Sequence, residues 1–96
     1  MKIAFAWDPY KERANERKHG FDFKTATKVF FDPFRVSRQD RTEDWEERWQ
    51  TIGIVQGVTL LLVAHTVWDD GEVEYIRIIS ARRASRTERR LYEEDR

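Results

Sequence analysis

Glu46-Glu47-Arg48-Trp49-Gln50-Thr51-Ile52-Gly53-Ile54-Val55, followed by Gln56-Gly57 and then Val58-Thr59-Leu60-Leu61-Leu62-Val63-Ala64-His65-Thr66, is the stretch that decides the fold. Its first part repeats with a period of two. That places Arg48, Gln50, Ile52 and Ile54 on one side of a strand and Glu47, Trp49, Thr51 and Val55 on the other. Gln56-Gly57 has the composition of a tight hairpin turn. The run from Val58 to Thr66 is nearly all apolar, as a central strand covered on both faces requires.

Downstream, Asp69-Asp70-Gly71 signals a second hairpin and Glu74 to Ala81 a last strand, with Tyr75, Arg77 and Ile79 on one face and Ile76, Ile78 and Ser80 on the other. Ser85, with Glu88 three residues on, forms a capping box, so a final helix runs from near Arg86 toward Glu94. Upstream, Phe34 to Ser37 is a weak strand and Ile3 to Trp7 a short one. Asp8-Pro9 caps and starts a helix that Gly20 stops after Lys18-His19. Asp22 starts a second helix, with Phe23, Ala26 and Phe30 on its buried face, that Asp32-Pro33 ends. The expected fold is α+β: two N-terminal helices, an antiparallel β-meander sheet of about four strands and a short C-terminal helix, with residues 1–96 forming a single domain.

Composition supports a folded chain. With 40% hydrophobic residues, four Trp and six Phe in 96 residues there is enough apolar matter for one core. There is no cysteine, hence no disulfide or thiolate chemistry. The N-terminus has no continuous apolar leader, and the longest apolar run is far shorter than a membrane span, so the expected location is cytoplasmic.

The net charge is zero, but the signs are segregated. Between residues 82 and 90 five arginines face one acid, and Met1 to Lys28 holds seven bases against four acids. Asp40 to Arg48 holds five acids against two bases, and Asp69 to Glu74 adds four acids. A basic surface built by the two ends is what polyanion binding needs, and the middle loops form an acidic region.

There is no Gly-rich phosphate loop and no Cys/His metal spacing, and the two histidines stand 46 positions apart, so no metal or other cofactor is expected. What remains is cation chemistry. Arg48, Arg77, Arg82 and Arg83 are candidate phosphate clamps, since a guanidinium fork matches two phosphate oxygens and stays charged at any working pH. Arg77 sits mid-strand among apolar neighbours and must either be paired, with Glu47 or Glu74, or face a cleft. His65, at the end of the central strand, is the side chain best suited to proton exchange, or else a hydrogen-bonded strand-end histidine. Lys18 and His19 stand at an exposed corner, where His19 also serves as a helix-end cation. Trp7 and Trp49 read as structural and Trp68 as partly exposed.

Trp7-Asp8-Pro9, Asn15, Lys18-His19-Gly20, Phe23, Ala26, Phe30, Asp32-Pro33, Glu47-Arg48, Thr51-Ile52-Gly53, His65 and Arg77-Ile78-Ile79-Ser80-Ala81-Arg82, in this order and spacing, closely resemble the BrnT family. The resemblance spans essentially the whole chain. It implies a RelE-like fold, a toxin of a type II toxin–antitoxin system with ribonuclease activity that arrests translation, and a BrnA antitoxin carrying a ribbon-helix-helix DNA-binding domain. DNA contact would then be indirect, through the antitoxin. A metal-independent ribonuclease needs a base for the RNA 2′-hydroxyl, cations for the phosphate and an acid for the leaving oxygen. The expected catalytic set is Arg48, Arg77 and Arg82 at the phosphate with His65 or Glu47 moving protons. Lys18, His19 and Arg83 are the expected substrate-binding residues. The competing expectation is a non-catalytic RNA- or protein-binding module.

Overall fold

The hairpin quoted first forms the middle of a five-stranded sheet in the computed structural model, which describes residues 2–94. The strands are β1 (Lys2–Trp7), β2 (Val36–Glu43), β3 (Glu46–Val55), β4 (Thr59–Asp69) and β5 (Val73–Arg83), in the order β1-β5-β4-β3-β2. From β2 to β5 the sheet is the expected antiparallel meander, but β1 pairs in parallel with the edge of β5. The sheet is therefore mixed and five-stranded, not antiparallel with about four strands. The helical segment after β1 supplies the long connection that a strand needs to lie parallel to another in the same sheet.

That segment holds α1 (Pro9–His19), a single α-helical turn α2 (Phe23–Ala26) and a 3-10 helix over Thr27–Phe31, and α3 (Arg86–Glu94) follows β5. Asp8 accepts a hydrogen bond from the Tyr10 N–H (2.8 Å) at the start of α1, and Gly20 takes the left-handed conformation at its end (φ 83°). The second helix was expected to stay α-helical to Phe30, and it tightens after Ala26 instead. There the backbone of Val29 lies directly on β3: a Cβ at Gly53 would fall 2.9 Å from the Val29 carbonyl oxygen. Asp32 then locks this contact, accepting from the Ile54 N–H (2.8 Å) and the Tyr92 hydroxyl (2.6 Å) with one oxygen and from the Phe34 N–H (2.9 Å) with the other.

Strand β2 runs well past the expected Phe34–Ser37. Its pairing continues to Glu43 opposite Glu46, closing a two-residue loop in which Asp44 and Trp45 both have positive φ (51° and 65°). This is the handedness a two-residue hairpin requires, reached without the usual Asn-Gly, which is why the sequence does not announce it.

Two small cores lie on the two faces of the sheet. Phe23, Ala26, Val29 and Phe30 pack on Val55, Leu61, Val63, Ile76, Ile78 and Ala81 on the face covered by α1 and α2. Ile52, Leu60, Leu62 and Tyr92 form the second core, under α3. The double coverage of β4 agrees with its unbroken apolar run. Buried Asn15 ties α1 to β5 beyond the end of β1: its amide donates to the Ala81 carbonyl (2.9 Å) and accepts from the Ala81 N–H (3.0 Å), replacing a strand neighbour.

Candidate functional site

A bulge in β5 decides which side chains meet. His65 pairs with Ile78 but Ala64 pairs with Ser80, leaving Ile79 as the extra residue. Simple alternation would put Ser80 on the face of Ile76 and Ile78. The extra residue moves Ser80 and Arg82 to the opposite face, the one that carries Arg77, and brings Ala81 into the core beneath α1 and α2. We call the face of Arg77 and Arg82 the arginine face; α3 covers one end of it.

Away from α3, this face carries Arg77, Arg48 and Glu46. The Arg77 guanidinium donates to Glu46 Oε1 at 2.7 Å, and Arg48 Nη2 lies 3.9 Å from the same oxygen. The expected partners of Arg77 were Glu47 or Glu74, and the carboxylate that meets it is Glu46, which shares the parity of Arg48. The Arg77 contact holds the Glu46 carboxyl below its usual range, with Arg48 adding to the effect. Arg48 Nε is buried with no hydrogen-bond partner among the described residues. Thr66 pairs with Arg77, and the row beside it is Gln50, Ala64 and Ser80. Thr66, Ala64 and Ser80 thus floor a surface edged by guanidinium groups, with Gln50 at its β3 side bonded to Arg38.

Toward α3, Arg82 is fully engaged with Glu88: Nη1–Oε1 is 2.8 Å and Nη2–Oε2 is 2.9 Å. Glu88 is also the predicted capping-box acid, accepting from the Ser85 N–H (2.8 Å) while the Ser85 hydroxyl accepts from the Glu88 N–H (3.2 Å). Arg82, burial notwithstanding, draws the Glu88 carboxyl down to about 2, and Glu88 in turn raises the Arg82 pKa. Arg38, which sequence reasoning missed, reaches Glu88 at 3.8 Å and bonds Gln50 Oε1 at 2.9 Å. Arg38 lies one residue past the expected Phe34–Ser37 strand, in the part of β2 that the composition does not mark, so its face is not legible in the sequence.

His65 is not among these residues. It lies on the α1/α2 face, 4% exposed, edge-on to Phe30, with Nε2 accepting from the Thr51 hydroxyl at 2.7 Å and Nδ1 donating to the Thr66 carbonyl at 3.2 Å. Ser37 extends the chain to Thr51 (2.8 Å). Burial lowers the His65 pKa to about 4, partly countered by the Thr66 contact, so the ring is neutral near pH 7. The bond to Thr66 sets which nitrogen carries the proton. Rather than a strand-end group, His65 is an interior residue of β4, and the sheet separates it from the arginines.

Alternation also turns Glu47 to the side opposite Arg48. Lys18, His19 and Arg83 collect elsewhere, at the corner where α1 ends. There the Arg83 guanidinium lies 5.5 Å from the centre of the Phe21 ring. The structure therefore unites Arg48, Arg77 and Glu46, places Arg82 and Arg38 beside them on Glu88, and holds His65, Glu47 and the Lys18 corner apart. Trp7 packs edge-on against Phe23, Trp49 is half-buried, and Trp68 is 62% exposed.

Fold and site together define a small α+β protein with a mixed sheet, one face of which presents a row of arginines. Residues 7–88 match the family described as "Ribonuclease toxin, BrnT, of type II toxin-antitoxin system". The chain belongs to the BrnT family of ribonuclease toxins. Its fold is similar to that of the Brucella abortus ribonuclease toxin BrnT, known from a 1.1 Å crystal structure, with a TM-score of 0.63 and 25% sequence identity over 90% of this chain and 100% of that one. A comparison with curated proteins gives no match. Among the described residues, no helix is long and apolar enough to cross a membrane.

Proposed function

We propose that the arginine face cleaves RNA without a metal ion, with Arg48 and Arg77 binding the scissile phosphate and Glu46 taking the proton of the 2′-hydroxyl. The observation that carries this is the convergence of Arg77 and Arg48 on one half-exposed carboxylate beside Thr66, Ala64 and Ser80. In the reaction the 2′-oxygen attacks the adjacent phosphorus, the bond to the 5′-oxygen breaks, and that oxygen takes a proton from water. The guanidinium groups stabilise the charge that develops on phosphate. Substrate phosphate would take over the Arg77 fork, which releases Glu46 from the contact that lowers its basicity and frees it to accept the proton.

In this proposal His65 and Glu47, expected to transfer protons, have no direct part. Arg82 holds α3 in place beside the phosphate site, and Lys18, His19 and Arg83 serve flanking phosphates from their corner. Among the described residues no three His, Cys, Asp or Glu side chains come together as a metal site would need, and Glu88 is held by Arg82, which supports metal independence. We also propose the finer grouping as a RelE-like toxin that arrests translation in the cytoplasm and is neutralised by a BrnA-like ribbon-helix-helix antitoxin.

Incubating total RNA with purified protein in excess EDTA tests the chemistry. Wild type should cleave, and Arg77→Ala and Glu46→Gln should cleave far more slowly. A band shift of intact RNA by wild type would identify a non-catalytic binding module instead.

A further inference from the structure

Three exposed or half-exposed aromatics stand at the end of the sheet where the β2–β3 and β4–β5 turns lie. Trp45, at the tip of the first turn, is 99% exposed, and Trp68 is 62% exposed. Trp68 is braced from behind by Tyr75, stacked at 4.7 Å between ring centres and 25° between planes. Tyr75 is itself held by its hydroxyl on Asp70 (3.3 Å), and Asp70 accepts the N–H groups of Glu72 and Val73. One ring face of Trp68 is thus fixed, and its indole forms part of a groove of about 400 Å³.

Trp45 lines the same groove, together with Glu46, Glu47, Thr66 and Val67. Among the described residues two indoles and two carboxylates line it and no cationic side chain does; Glu46 is already paired with Arg77, which leaves Glu47 as its open acid. The surrounding turns are acidic as well: Asp69 to Glu74 holds four acids. An RNA phosphate brought here would meet negative charge, whereas a guanidinium or ammonium group meets both ring faces and carboxylates, the two kinds of surface that attract it. The backbone points the same way. Trp45 occupies a left-handed position (φ 65°) that costs a non-glycine residue about 1–2 kcal/mol, which sets an indole in solvent where glycine would make the better turn.

We propose that this groove is a docking surface for a cationic polypeptide segment, with an arginine or lysine side chain seated between Trp45 and Trp68 and paired with Glu47. The groove adjoins the Arg48–Arg77 phosphate site and shares Glu46 and Thr66 with it, while Trp45, Glu47, Val67 and Trp68 belong to the groove. An antitoxin segment bearing such residues would therefore engage the toxin beside its RNA-binding face.

The test uses the full chain and a fluorescein-labelled peptide of alternating glycine and arginine, with a citrulline version and a single-stranded RNA oligonucleotide as comparisons. Fluorescence anisotropy should show the arginine peptide binding wild type at least tenfold more tightly than the citrulline peptide. Trp45→Ala and Glu47→Gln should each weaken peptide binding by about five- to tenfold. Both residues are exposed, so these variants should fold. Equal binding of both peptides, or peptide binding unaffected by either substitution, overturns the proposal. So does a loss of oligonucleotide affinity in Trp45→Ala with peptide binding retained, which would make the groove a base-stacking site. Cleavage of RNA by wild type is scored separately, so failure of the groove and failure of the ribonuclease proposal are distinguishable.

Discussion

The Arg82 guanidinium grips Glu88 with two parallel hydrogen bonds, 2.8 and 2.9 Å long, across the junction of the last strand and the last helix. Glu88 simultaneously closes the capping box with Ser85. One buried carboxylate therefore starts α3 and fixes its angle to the sheet. Glu88→Gln should lower unfolding stability by about 1–3 kcal/mol in urea denaturation, since it removes a charge-assisted pair and weakens a cap. Arg82→Lys should lose much of the same stability although it keeps the charge, because an ammonium cannot make the two-point contact.

The same pair gives an acid-side signature. The Glu88 pKa is depressed to about 2 from 4.5, so its contribution is complete above about pH 4.5 and is lost as pH falls toward 2. In Glu88→Gln, melting temperature should fall less steeply across that window than in wild type.

His65 produces a different pH dependence. Its folded pKa of about 4 lies below the ordinary 6.5, so between these values the unfolded chain binds the extra proton. Stability should therefore decline as pH falls from about 6.5 to 4, by on the order of 3 kcal/mol at most, and level off below. His65→Gln should remove this decline between about pH 6.5 and 4, as read by thermal melts. RNA cleavage should persist in His65→Gln wherever the variant is folded. Abolition of cleavage in the folded variant would return His65 to the catalytic set.

Gly53→Ala tests the close approach of the 3-10 helix to β3. A methyl group there meets the Val29 backbone at 2.9 Å, and backbone cannot give way as a side-chain end can. Destabilisation of about 2 kcal/mol or more is expected in denaturant titration.

For the proposed chemistry, Arg77→Ala should lower the cleavage rate on the order of 10²-fold with an unchanged far-UV spectrum. Arg77 is exposed, so with the spectrum unchanged a loss of activity there reports on the site and not on folding.

At the other end of the sheet, Trp45→Gly should stabilise the protein by about 1 kcal/mol in the same denaturation assay, because glycine adopts the left-handed turn position without penalty.

Much of the fold was readable because local chemistry spelled it out. Asp8-Pro9 and Gly20 bound α1, Ser85 and Glu88 start α3, and the unbroken apolar run marks β4 as central. The site was readable only in part. Arg48 and Arg77 read as candidate phosphate clamps, Arg77 as one that must be paired or face a cleft, and they do share a face. Their common partner is Glu46, not the expected Glu47 or Glu74, and Arg38 lies just beyond the expected Phe34–Ser37 strand. The β2–β3 turn, built from Asp44 and Trp45, lacks the residues that usually mark such a turn.

Sequence by itself determined the element chemistry, the charge segregation and the family, since each depends on neighbours along the chain or on motif order. Tertiary structure alone decided that β1 lies parallel beside β5, and that one extra residue at Ile79 turns Ser80 and Arg82 onto the face of Arg77. It also decided that His65 is buried behind the sheet from those arginines. The physical reason is parity: a strand sorts its side chains by alternation, so a single bulged residue reassigns every one that follows, and no local composition records it.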